Sequence, residues 1–112
     1  MASPYDITQI RPAEVKQKMD RGDDFVLVDV REPWEAELAS LPGAVLIPTY
    51  ELPNRTSEIP KTKETILFCH TGSRSMMAAF FLRRLGYHHV RNLAGGIDLW
   101  SVEVDPSVPR YE

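Results

Sequence analysis

Hydrophobic residues recur along this chain in short blocks that switch between two periods. Phe25-Val26-Leu27-Val28 runs apolar into Asp29-Val30, and Ile66-Leu67-Phe68 does the same ahead of Cys69. Unbroken runs of this length are typical of parallel strands covered on both faces. Elsewhere the period lengthens. Pro12, Ala13, Val15, Lys16 and Met19 predict a short helix that closes at Arg21-Gly22. From Met76, residues Ala78, Phe81, Leu82 and Leu85 fall at i, i+3, i+4 and i+7, a helical face stopped by Gly86. Weaker signals fill the gaps. Tyr5 to Ile10 predicts an edge strand, Pro33 to Leu38 a short helix, and Ala44 to Ile47 a second buried strand after the Pro42-Gly43 turn. Pro53 and Pro60 bracket one helical turn or two. His89 to Leu93 predicts a strand, and Gly95-Gly96 leads into a short helix carrying Trp100. Strands alternating with helices imply an α/β fold with a mainly parallel sheet.

Residues 102–112 form a Pro-rich C-terminal extension to a single domain spanning 1–112. Pro106 and Pro109 bar regular helix there, while Val108 and Tyr111 offer apolar anchors. A frayed tail and an extended strap both fit that composition.

Composition narrows the class. A chain of 112 residues that is 43% hydrophobic and 26% charged has room for one core. A net charge of -3 gives no reason to expect nucleic acid or an anionic membrane as partner. One cysteine rules out an internal disulfide and favours a reducing compartment. Met1 to Asp6 lacks the basic and apolar regions of a secretory signal, and the apolar run Met76 to Leu82 is too short to span a bilayer. The expectation is a soluble, cytoplasmic protein.

The candidate chemistry gathers at that cysteine. Cys69 ends a buried strand, and the polar stretch His70-Thr71-Gly72-Ser73-Arg74-Ser75 carries the chain into a helix. Unpaired amides and the positive end of a helix converge at such a junction, a setting suited to an anion. Arg74 adds a planar fork of donors. The helix end and the cation are expected to favour the thiolate, lowering the thiol from its usual pKa of ~8.5. A lone cysteine is otherwise a small buried hydrophobe. Its place at the edge of a polar loop, not mid-strand, favours the nucleophile.

Other residues offer less. Asp29 ends a buried strand at the edge where parallel sheets collect their sites, although it could equally cap the next turn. Arg31 and Glu35 suit a structural ion pair. His88 and His89, with Arg83, Arg84 and Arg91, suit a solvated basic face. One Cys and three His without a Cys-x-x-Cys do not make a metal centre. His70 is expected to point outward while its amide faces the anion, with no part in proton transfer.

The sequence Cys69-His70-Thr71-Gly72-Ser73-Arg74-Ser75 resembles the active-site loop of rhodanese-like sulfurtransferases. Asp29-Val30-Arg31 with Glu35, Pro42-Gly43-Ala44, Ile47-Pro48 with Glu51-Leu52, and Leu93-Ala94-Gly95-Gly96-Ile97 with Trp100 follow in the family's order, from about residue 5 to 101. Ala36 stands where the family usually has an aromatic, and Ala39-Ser40-Leu41 where it usually has Gly-His. The resemblance implies the rhodanese fold, with about five strands flanked by helices on both faces. It implies Cys69 as catalytic nucleophile and His70, Thr71, Gly72, Ser73, Arg74 and Ser75 as the persulfide-binding or anion-binding loop. Asp29 and Arg31 become candidate supports from outside the loop. It further implies sulfur transfer from a donor such as thiosulfate to cyanide or a thiol, including that of a thioredoxin-like protein, with no metal or cofactor. Two other classes stay in view. Thiol phosphatases and arsenate reductases use a related loop, but the phosphatase type has five residues between Cys and Arg, where this chain has His70 to Ser73. Inactive rhodanese-like binding modules generally lack the cysteine.

Overall fold

A computed structural model describes residues 7–112. The elements run β1 (Thr8–Ile10), α1 (Pro12–Arg21), β2 (Phe25–Asp29), α2 (Pro33–Leu38), β3 (Val45–Leu46), α3 (Leu52–Arg55), a 3-10 turn (Thr56–Glu58), β4 (Glu64–Phe68), α4 (Ser73–Arg84), β5 (Val90–Leu93) and α5 (Gly96–Glu103). The strands form one five-stranded sheet in the order β1-β5-β4-β2-β3, with every adjacent pair parallel. The α/β reading therefore holds. The start of the expected Tyr5–Ile10 strand lies outside the described residues. No helix among the described residues is long and apolar enough to cross a membrane.

The pleat sorts the two apolar runs between two cores. Val28, Leu67 and Cys69 face one core with Leu52 of α3 and Ala78, Ala79 and Leu82 of α4. Leu27, Ile66 and Phe68 face the other with Val15 of α1 and Ile97 and Trp100 of α5. Strict alternation along β4, buried on both faces, thus turns Cys69 toward α4.

Three expectations need correction. The Ala44–Ile47 strand is only Val45–Leu46 and lies at the sheet edge, with Val45 exposed. Beyond it the pairing turns irregular, with Ile47 N–H donating to Asp29 O at 2.8 Å and Thr49 N–H to Val30 O at 3.2 Å, and of the four expected residues only Ile47 is fully buried. Helix α4 begins at Ser73, not Met76. Gly72 takes the left-handed N-cap position at φ 108°, so Ser73, Arg74 and Ser75 already form the first turn. Its buried face is Ser75, Ala78, Ala79 and Leu82, while Leu85 is the exposed C-cap and Phe81 is half-buried.

α5 continues to Glu103, so the irregular segment begins at Val104. From there the chain is an extended strap. Val104, Val108 and Tyr111 pack on the α5-side core, and Arg110 makes a bidentate pair with Asp98 at 2.9 and 3.0 Å.

Candidate active site

Cys69 is the residue after β4, at the carboxyl edge of the sheet's central strand. Its sulfur is buried, and the chain turns back over it. The Gly72 N–H points at Sγ from 3.1 Å and the Ser75 N–H from 3.4 Å. The Ser75 hydroxyl lies 3.3 Å from Sγ and also within bonding distance of Asn92 Oδ1. One hydroxyl proton serves one of these acceptors at a time. Loop amides and the first turn of α4 therefore converge on the sulfur.

A second helix holds the loop from behind. Ile97 N–H donates to the Cys69 carbonyl and Asp98 N–H to the His70 carbonyl, each at 3.0 Å. In a planar trans peptide the N–H points opposite the carbonyl. Fixing these two carbonyls on α5 therefore turns the His70 and Thr71 amides away from α5. The approach is tight: a Cβ on Gly96 would lie 2.4 Å from the His70 oxygen.

Arg74 does not stand free beside the sulfur. Its Nη2 donates to Glu35 Oε1 at 3.0 Å, which ties the first turn of α4 to α2. Burial works against the guanidinium's charge, but the Glu35 bond and charge hold its pKa above the ordinary arginine value. Glu35 Oε2 is buried with no protein partner among the described residues. The expected Arg31–Glu35 ion pair is absent. Arg31, fully buried, forks onto the Asp29 carboxylate at 2.8 and 2.7 Å and reaches only the backbone oxygen of Glu35, at 3.3 Å. Arg31 precedes the N-cap of α2, so the helical i,i+4 rule does not apply to it. Asp29 and Arg31 thus form a pair beneath the strap, not at the sulfur.

His70 also differs from expectation. Its ring does not point outward into solvent but stacks on Tyr111, with centroids 4.1 Å apart and planes 13° apart. His88 and His89 lie with Arg83, Arg91 and Glu64 near the start of β4 and β5, at the opposite edge of the sheet from Cys69. Arg91 there is paired to Glu64 at 3.2 Å, so that face is partly neutralised. Among the described residues no cluster of His, Cys, Asp and Glu could hold a metal ion.

Asn92 was not singled out by the sequence reading. It is a buried amide on β5, and both Nδ2 protons are used, on Gly72 O and on Gln9 Oε1, each at 3.1 Å. That fixes the amide's orientation and presents Oδ1 to Ser75. The strand reads Val90-Arg91-Asn92-Leu93, so Asn92 sits beside a second polar residue and no sequence signal sets it apart. Asn92→Ala would leave the Ser75 hydroxyl, the Gly72 carbonyl and the Gln9 amide short of partners. The expected cost is about 1–3 kcal/mol of stability, read from the denaturation midpoint, together with faster alkylation of Cys69 as the loop loosens. Unchanged values in both measurements would remove Asn92 from the site.

The model for the rhodanese-like domain matches residues 11–103. This chain belongs to the rhodanese-like family. It is 36% identical to a sulfurtransferase of Allochromatium vinosum over 95 residues, 85% of this chain and 89% of that one. It is 39% identical to the Rhodanese-like/PpiC domain-containing protein 12, chloroplastic, of Arabidopsis thaliana, covering 94% of this chain but 38% of that protein. Among solved structures, a reduced CoADR-RHD from Bacillus anthracis superposes with a TM-score of 0.82 at 32% identity. That match covers 94% of this chain and 18% of the other. The rhodanese-like chain thus corresponds to a fraction of some relatives and to most of others.

Beside Arg74 this rhodanese-like domain opens a groove of about 230 Å³, lined by Leu52, Pro53, Met77 and Phe81. Met77 on its rim is exposed, as are Trp34 and Tyr50 elsewhere on the surface.

Proposed function

We propose that this chain, as one domain, moves a sulfane sulfur from thiosulfate to cyanide or a thiol through a persulfide on Cys69. The observation that carries the reading is the convergence of Gly72 N–H, Ser75 N–H and the Ser75 hydroxyl on one buried cysteine sulfur. In the first step the Cys69 thiolate attacks the outer sulfur of thiosulfate. The sulfur–sulfur bond of the donor breaks, and sulfite leaves with its electron pair. The product is Cys69–S–S⁻, whose terminal charge, in this reading, the amides of His70 to Ser75 hold; the Gly72 and Ser75 N–H groups aimed at Sγ support it. In the second step cyanide or an acceptor thiolate attacks that outer sulfur. Thiocyanate or a new persulfide departs, and the Cys69 thiolate returns.

Arg74 is the cation next to this path, held by Glu35 with its remaining donors available to the donor anion. The loop has four residues between Cys69 and Arg74, a ring suited to one sulfur atom in preference to a phosphate group. Thiol acceptors presented by a protein, including a thioredoxin-like one, have the apolar groove beside Arg74 as a landing surface.

The test is intact mass. Treatment with thiosulfate is expected to add one sulfur atom, and cyanide or a reducing thiol to remove it. If thiosulfate, polysulfide and a protein persulfide all leave the mass unchanged, the chain is a binding module and not a transferase.

A further inference from the structure

The strap from Val104 onward lies beyond residues 11–103, the span matched by the rhodanese-like family, yet it reaches the sulfur-binding loop. Its contacts form a closed circuit around His70. The His70 carbonyl accepts from Asp98 N–H at 3.0 Å, the Asp98 carboxylate accepts both Arg110 donors, and Tyr111, the next residue, stacks on the His70 ring. The circuit is pinned at a further point. The Tyr111 hydroxyl accepts from Arg31 Nη1 at 3.0 Å, and Arg31 is itself locked on Asp29 at the end of β2. Trp34 of α2 meets the Tyr111 ring edge-on, with centroids 6.2 Å apart. Partial burial raises the phenol's pKa despite the Arg31 bond, so the hydroxyl keeps its proton and stays a neutral acceptor for arginine. His70 Nε2 is buried and without a protein partner among the described residues, so packing, not a hydrogen bond, fixes that end of the ring.

We propose that Tyr111 is a positioning residue for sulfur transfer, holding the sulfur-binding loop in its cradle geometry through His70. This rests on the reading that Cys69 carries the sulfur. Two consequences separate this role from ordinary packing. Tyr111 covers the ring of His70, whose own amide and that of Thr71 are turned away from α5 by their neighbouring carbonyls, so releasing the ring is expected to loosen those amides first. Cys69 is buried, so a loosened loop also exposes its sulfur more often.

The experiment combines Tyr111→Ala, Tyr111→Phe, His70→Ala and the Tyr111→Ala/His70→Ala pair. It reads sulfur transfer from thiosulfate to cyanide and, independently of turnover, the rate of Cys69 alkylation by iodoacetamide. Tyr111→Ala is expected to slow transfer and to speed alkylation, each by about threefold to tenfold, the range an aromatic stack of this kind can supply. Tyr111→Phe keeps the ring and loses only the Arg31 bond, so it should restore both rates while lowering thermal stability. In the His70→Ala background the Tyr111→Ala change should have little further effect, because the pair acts as a unit. Wild-type alkylation in Tyr111→Ala, or an undiminished effect in the His70→Ala background, would overturn the proposal. If the wild-type protein moves no sulfur from any donor, the transferase reading falls, while the alkylation rates still decide whether Tyr111 holds the loop.

Discussion

Replacing Cys69 by serine is expected to abolish sulfur uptake completely and to leave the fold standing. The side chain sits among apolar residues of the α4-side core, and an oxygen in its place still meets the Gly72 and Ser75 amides. The hydroxyl is therefore hydrogen-bonded, and the loss of the larger sulfur atom should cost on the order of 1 kcal/mol. Chemistry is affected far more. A serine hydroxyl in this cradle has no paired base to remove its proton, and without the thiolate no nucleophile remains. Because the chain has one cysteine, no second thiol can substitute. Intact mass after thiosulfate should show no sulfur adduct, while circular dichroism and the denaturation midpoint stay close to wild type. Sulfur retained by the serine variant would mean that the donor binds without forming a persulfide, and the covalent mechanism would be abandoned.

Gly96→Ala is expected to do the most damage from outside the loop. A methyl group there meets the His70 and Cys69 carbonyl oxygens at 2.4 and 2.5 Å, backbone atoms that cannot swing aside as a side chain would. The residue also has φ 61°, where a non-glycine residue costs about 1–2 kcal/mol. To relieve the contact, α5 and the loop must separate, which stretches the Ile97 and Asp98 hydrogen bonds at about 1 kcal/mol each. Together the expected loss is about 3–4 kcal/mol of stability. The loop shift should lower sulfur transfer by about 100-fold, the scale of an ångström's misplacement at a reacting centre. Gly43→Ala is the control, since Gly43 has φ 76° but no atom within 4 Å of its would-be Cβ. If the two variants lose equal stability and Gly96→Ala still transfers sulfur normally, the close approach of α5 is not what shapes the cradle.

The cysteine site was legible because its signals are local. A buried run, a polar turn with Gly72 and a helix give a strand-loop-helix junction from consecutive residues, and alternation along β4 fixes the side on which Cys69 emerges. The two central strands were legible for the same reason. What sequence could not supply was the choice of partner across space. Arg31 and Glu35 have helical i,i+4 spacing, yet Arg31 lies before the helix and turns back to Asp29, leaving Glu35 for Arg74. Asn92 carries no local signal, and its importance lies in its bonds to Gly72, Ser75 and Gln9, each from another part of the chain. The Val104–Tyr111 segment has no period to read; its packing on the core, the Arg110–Asp98 pair and the Tyr111 contacts with His70 and Arg31 distinguish a strap from a frayed end. The edge strand β3 was overestimated because Ala44 to Ile47 is apolar in composition, while a strand with a single neighbour leaves Val45 exposed and its regular ladder short.

The partners that define the sulfur's surroundings come from distant parts of the chain. Gln9 and Asn92 are 83 residues apart, Arg31 and Tyr111 are 80 apart, and Glu35 and Arg74 are 39 apart. Contacts of that span carry a loop-closure entropy that short-range contacts do not, so local helices alone cannot supply them. Until they close, Cys69 has neither the Gly72 and Ser75 amides aimed at its sulfur nor the Glu35-anchored Arg74 beside it. The surroundings of the sulfur are therefore completed by closure of the whole sheet and not by synthesis of the loop. If Cys69 carries sulfur as proposed, a nascent or partly unravelled copy has no cradle in which to shelter it, and only molecules that have finished folding serve as carriers.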